Sequence, residues 1–278
     1  MNDIVDLTKI TSGLAGMQSQ TTVVQHLSND RCDIDVTPAP DSAIGTVDYY
    51  YDKKKTGGTA GWLSRKCDFE NRHRGCQHEV PDYYEGYGDK YIRRFTDITY
   101  KYLSAVGKAW LEDARYYLQV YMEDGFKQNT SSKTVTTKSQ VDPSISSRVS
   151  AASFKGLELN GRNFRMFAFG THPAAYIDGG FINMGVKDLI LVCLTPDMKE
   201  WTGEGRADTF DQAFEVGMYL VRATSLWKKT KMAAEFAAIL AGYGLDDIED
   251  FVHEAHGVRL PRKRLRGLLQ NIFGSIWS

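Results

Sequence analysis

From Asp89 onward the apolar residues of this chain recur at spacings of three and four. Tyr91, Ile92, Phe95, Ile98 and Tyr102 fall on one face of a helix. Ser104 reads as the cap of a second helix, with Val106, Trp110, Ala114, Tyr117, Leu118 and Tyr121 as its inner face and Gly125 as its stop. Two amphipathic helices with so short a join predict an antiparallel helical hairpin. The period returns after Asn160, where Phe164, Phe167 and Ala168 make a short apolar face. Pro173 suits a first helical position and Gly179–Gly180 a stop. Val186–Leu194, Asp208–Trp227, Lys231–Gly242 and Asp246–His253 are further helices. Pro261–Trp277 closes the chain, with Leu265, Leu268, Leu269, Ile272, Phe273 and Ile276 inward.

Elsewhere the pattern is weaker. Residues 1–45 carry little periodicity, and Thr37–Asp41 (TPAPD) reads as an extended connector because each proline disfavours helix before it. Thr46–Tyr51 (TVDYYY) has the composition of a strand, and Lys53–Gly61 that of a flexible loop. Lys127–Ser153 is rich in Ser and Thr, and a one-sided polar hairpin around Val141–Pro143 is the preferred reading. The expected class is mainly α (α+β), a helical domain with a small β element or hairpin. The expected division is an extended, strand-containing segment over 1–65 and a mainly helical domain over 66–278, with a polar insertion near 127–153. No repeat of constant period is present.

Composition narrows the function classes. The 278 residues carry a formal net charge of −1, with 42% hydrophobic and 25% charged side chains. That balance offers no basic surface for nucleic acid. No apolar run reaches the roughly 18 residues of a spanning helix. The start MNDIVDLTKITSGLAG lacks a basic n-region and a continuous apolar core, so the expectation is synthesis in the cytoplasm without a Sec signal. Walker, Rossmann, nucleophile-elbow and kinase signatures are missing, which leaves nucleotide and serine-hydrolase chemistry without support.

Candidate chemistry concentrates in 66–95, KCDFENRHRGCQHEVPDYYEGYGDKYIRRF. Cys67, His73, Cys76 and His78 supply thiolate and imidazole, the donors zinc takes in a tetrahedron, although their spacing matches no standard finger. A Cys67–Cys76 disulfide and a loop of reduced thiols with hydrogen-bonded histidines are the alternatives. Cys76 as a nucleophile with His172 as its base would suit an amidase, but Pro81 breaks any helix starting at Cys76. Glu79, Asp82, Glu85 and Asp89 alternate with Tyr83, Tyr84 and Tyr87. Glycoside cleavage needs a protonated and an ionised carboxyl, and aromatic faces bind sugar rings, so this stretch is the candidate catalytic and substrate-binding set. On the bland reading the tyrosines pack under the helical hairpin and the acids are solvated. Cys193, inside an apolar run, reads as a buried thiol. His253 and His256 are three apart, not the four a zincin helix needs, and read as a helix-end pair. The last helix is basic on its polar side, and core packing is favoured over membrane contact through 259–278.

The series CQHEVPDYYEGYGDKYIRRF, LSAVGKAWLEDARYYLQVYMEDG and FRMFAFGTHPAAYIDGG resembles proteins associated with bacterial type VI secretion and toxin loci, over roughly residues 67–200. The resemblance implies a secreted antibacterial effector. Its partners would be the secretion machinery and a cognate immunity protein, and its place of action the target-cell periplasm, an oxidising compartment that permits a disulfide. The leading expectation is therefore a peptidoglycan hydrolase using Glu79 or Glu85 as acid with Asp82 or Asp89. It needs no cofactor, and zinc enters only under the metal reading. A metal- or cysteine-dependent amidase and a non-enzymatic adaptor, immunity or membrane-active protein stand as alternatives.

Overall fold

The structure, a computed structural model, describes residues 36–50, 62, 64–81, 83–197 and 224–277. Helix α1 (Arg65–Gly75) begins where the Ser64 hydroxyl accepts the Cys67 amide at 3.1 Å. Asp68 in its first turn and Arg72, His73 and Arg74 in its last complement the helix dipole. Helical backbone then runs unbroken over 83–102, here called α2. It alternates a π turn (Tyr83–Gly88), an α segment (Asp89–Arg94), a second π turn (Phe95–Thr99) and a final α turn (Tyr100–Tyr102).

Ser104 caps the 25-residue helix α3 (Ala105–Asn129), accepting the Gly107 amide at 3.2 Å. The Asp188 carboxylate strengthens this start, accepting the Ser104 amide at 2.8 Å and its hydroxyl at 2.5 Å. Strands β1 (Thr134–Lys138) and β2 (Ser146–Ser150) pair antiparallel, with Val135 opposite Val149 on the buried face. The chain continues through α4 (Gly161–Gly170), α5 (His172–Asp178), a 3-10 turn at Phe181–Asn183 and α6 (Val186–Leu194). After residues 198–223 come α7 (Leu226–Ala241), α8 (Leu245–His256) and α9 (Arg262–Trp277). The class is mainly α with a small β hairpin, as the patterning predicts. Among the described residues no helix is long and apolar enough to cross a membrane.

The organising element is α3, about 37 Å long at 1.5 Å per residue. Trp110, Leu111 and Ala114 in its first half join a core built from α6, α7, α8 and α9. Met122 and Phe126 in its second half join another, with Tyr49, Trp62, Phe69, Tyr84, Phe164 and the hairpin valines. Apolar side chains of α9 are buried in the first of these cores, as the period requires: Leu265 and Leu269 are fully covered, and Phe273 nearly so. Each such side chain contributes about 1.5–3 kcal/mol.

Three local expectations are corrected. Thr46–Tyr51 contains a 3-10 turn at Val47–Tyr49, not a strand. Consecutive Tyr49 and Tyr50 are both buried, which strand alternation does not allow. The segment hangs instead on α3: Gln119 accepts the Gly45 amide at 2.6 Å and donates to the Thr46 carbonyl at 2.8 Å. Gly125 does not stop α3, which runs on to Asn129. It is a notch filled by the Phe167 ring. The sequence around Cys67 is α1, not a loop. Its buried side chains include Arg65, Glu70 and His73, so an apolar period never develops. The Lys53–Gly61 loop and residues 208–223 of the expected Asp208–Trp227 helix lie outside the described residues. Ser225 caps a helix that begins at Leu226.

Candidate ligand-binding site

Between α2 and the first half of α3 lies a partly open cavity of about 170 Å³, bordered also by Tyr50, by Phe169 of α4, by α5 and α6 and by the 3-10 turn after α5. Tyr83, Tyr87, Tyr91 and Phe95 supply the α2 wall, at a constant spacing of four. In a regular α-helix, residues four apart drift by about 40° per step, because each turn takes 3.6 residues. A π turn, which is wider, spans the start of this run (Tyr83–Gly88) and turns the other way by a similar angle, so the drift is partly offset and all four residues line the cavity. The rings also support one another. Tyr87 meets Tyr91 edge-on at 4.6 Å between centroids and Phe169 at 4.7 Å. Trp110, Leu111, Ala114 and Leu118 supply the α3 wall. The Trp110 indole donates to the Tyr176 carbonyl at 3.1 Å, fixing α5 against α3.

Few polar groups line this apolar space: the phenols of Tyr50, Tyr83, Tyr87, Tyr91 and Tyr176, the Cys193 thiol, the Arg115 side chain and the imidazole of His172. Burial pushes the pKa of the Tyr50, Tyr83 and Tyr176 phenols up, the Glu123 carboxylate raises Tyr50 further, and neighbouring phenols oppose one another's ionisation. They are therefore neutral donors at physiological pH. Burial likewise pushes the Cys193 thiol up to about 12, which makes it a poor nucleophile. His172 is lowered to about 4 by burial, against the opposing pull of its backbone hydrogen bonds, so its ring is neutral. Its Nδ1 lies 3.0 Å from the Ala168 carbonyl and 3.2 Å from that of Phe169. Carbonyls only accept, so Nδ1 carries the proton and Nε2 is left as an acceptor.

Of the candidate carboxylates, Glu79 and Asp89 do not line this cavity. Glu79 is exposed in the segment before α2, and Asp89 pairs with Arg93 one turn on, at 3.2 Å. Asp82 and the side chain of Glu85 lie outside the described residues. Tyr83 and Tyr84 are buried, Tyr84 in the core beside Phe69 and Phe164 and Tyr83 at the cavity wall, where Tyr87 joins it. Their rings therefore face inward.

Of the possible metal ligands, the structure brings His73 and His78 together, with their Nδ1 atoms 2.9 Å apart. His78 Nδ1 also lies 2.7 Å from the Glu79 carbonyl. Cys76 is disulfide-bonded whereas Cys67 keeps its thiol, so the Cys67–Cys76 bridge, one of the alternatives for this stretch, is not formed. A sulfur held in a disulfide is no thiolate nucleophile, which removes Cys76 from the amidase arrangement. Among the described residues no three His, Cys, Asp or Glu side chains converge as a metal site. His256 uses Nε2 to donate to the Leu194 carbonyl at 2.7 Å, at the end of α6, and His253 is exposed beside it.

A second concavity, between the 36–44 segment and the end of α3, has Glu123 and Glu158 in its lining. Both carboxylates are committed. Glu123 takes a two-pronged bond from the fully buried Arg65, at 2.6 and 2.7 Å, and a third from the Tyr49 hydroxyl at 2.6 Å. Glu158 is bound by Arg72, which also bridges to Asp68 at 2.9 Å. Burial would raise the Glu158 carboxyl, but His73 and Arg72 together hold it below the usual range. It stays ionised and is unsuited to act as a general acid.

Sequence reasoning named His172 only as a partner for Cys76, and placed Tyr176 and Arg115 in no site. The constant spacing of Tyr83, Tyr87, Tyr91 and Phe95 was the available signal. In comparisons with known proteins, the chain matches no family model, no curated protein and no solved structure.

Proposed function

We propose that this chain works by binding a small, largely apolar ligand in the aromatic cavity between α2 and α3. The observation that supports the reading is the wall itself: aromatic and aliphatic on almost every side, with a few polar groups at defined points. Binding sites for small molecules have that composition. The volume is also apt, since an engineered apolar cavity of about 150 Å³ binds benzene. The acidic stretch supports a hydrolase less well, because Asp89 is engaged on the surface and Tyr83 and Tyr84 turn inward.

The test is calorimetric titration of the full chain with benzene and toluene, repeated on Leu118→Trp, whose larger side chain fills the space from the α3 wall. Saturable binding to the natural chain and loss of binding in the variant are expected. Absence of binding to the natural chain at millimolar ligand would refute the proposal.

A further inference from the structure

The cavity's polar groups restrict what can occupy it, and this inference rests on the binding reading above. Two kinds of hydrogen-bonding capacity are present. On one side, the hydroxyls of Tyr50, Tyr83 and Tyr176 can donate, and none is held by a hydrogen bond from a described residue. On the other side, His172 presents Nε2. Its Nδ1 proton is directed at the Ala168 and Phe169 carbonyls, so the opposite ring nitrogen is aimed away from the backbone. The His172 ring is itself fixed, stacked on Phe169 at 5.6 Å and edge-on to Tyr176 at 5.6 Å.

An apolar occupant without polar atoms would leave Nε2 and the phenols unsatisfied. An occupant with one O–H or N–H would satisfy Nε2 and could accept from a phenol through the same atom. We infer that the cavity is a site for a small neutral aromatic carrying one ring O–H or N–H, of the phenol or indole class, with its donor directed to His172 Nε2 and its ring held among Tyr87, Phe95 and Trp110. Shape supports the same class. The walls are faces and edges of aromatic rings, which receive a flat ring in offset or edge-on contact.

The experiment uses the full chain at neutral pH, titrated with phenol, with toluene (which puts a methyl where phenol has its hydroxyl) and with benzoate. Phenol is expected to bind about tenfold more tightly than toluene, the value of one hydrogen bond between neutral groups. In His172→Phe that preference should vanish. Equal or tighter binding of toluene by the natural chain would overturn the donor assignment and leave the cavity reading standing. Binding of none of the three would remove the cavity reading as well. Benzoate bound as tightly as phenol would also overturn the inference, by making Arg115 and an anion the recognition pair. These comparisons on the natural chain need no variant, so a His172→Phe protein that failed to fold would not spare the proposal.

Discussion

Gly125→Ala and Gly267→Ala are one substitution in two helix interiors, yet their surroundings give them opposite signs. Alanine is favoured over glycine inside a helix by about 1 kcal/mol. Gly267 is on the exposed side of α9, and a methyl built there meets nothing within 4 Å. The full propensity gain should appear. At Gly125 the same methyl would overlap Cζ and Cε2 of Phe167 and lie 3.2 Å from Cε1. Carbon pairs prefer about 3.5–4.0 Å. Phe167 is only 1% exposed and is packed against Phe126 and Phe164, so its ring has nowhere to go. Overpacking of this kind costs about 1–3 kcal/mol, and overlap with a rigid ring belongs at the upper end. After the propensity gain, a net loss of about 2 kcal/mol remains. Urea unfolding of both variants measures this, with the midpoint moving at unchanged slope. A Gly125→Ala protein as stable as the natural chain would refute the packing of α4 into that notch, and with it the close approach of α3 and α4.

Arg65 is the next test. It is fully buried and bound to Glu123, Asp68 and the Thr37 carbonyl, so Arg65→Met should cost about 3–5 kcal/mol by stranding the Glu123 carboxylate. Adding Glu123→Leu should restore much of the loss in the same urea assay, and failure to restore it would show that the two are not coupled. Asp188→Ala removes both bonds to Ser104 at the start of α3, and about 2 kcal/mol of thermal or urea stability should go with them. His172 sets a pH dependence. The unfolded imidazole takes up its proton near pH 6.5, but the folded ring only near 4. Stability present above 6.5 is therefore lost as pH falls toward 4, by something on the order of 3 kcal/mol. Unfolding measured at pH 7 and pH 4.5 should show a smaller drop for His172→Phe than for the natural chain, and identical drops would exclude His172 as the source.

Periodicity located what periodicity can report. The α3 start at Ser104, the apolar face of α4, the whole of α6 and the inward leucines of α9 all follow from apolar residues three and four apart. Helix α1 escaped because the positions it buries include Arg65, Glu70 and His73, side chains a hydrophobicity pattern counts as outward. Its capping serine and its ordered end charges were the legible trace. The cavity escaped for a different reason. Tyr83, Tyr87, Tyr91 and Phe95 look the same in a sequence whether they press against a neighbour or stand back from one. Only the distance between α2 and α3 separates the cases, and that distance depends on what α5 and α6 hold apart. The alternation of acids and tyrosines over 79–89 has a plain source in the fold as well. Of the described acids, Glu79 is exposed and Asp89 is paired at the surface, while the rings turn inward.

The double membership of α3 bears on how this chain could be divided. Its first half shares a core with α6 through α9, where Trp110 meets Tyr176 and Phe181, and its second half shares another with the 36–50 segment, α1 and α4 around Met122 and Phe126. A fragment starting at residue 66 would uncover Phe126 and strand Gln119 and Glu123 without the backbone they hold. One ending before 224 would remove α7, α8 and α9 from the core that Trp110 and Leu111 share. Helix α3 thus belongs to both cores at once, and a cut that removes the 36–50 segment opens the second of them.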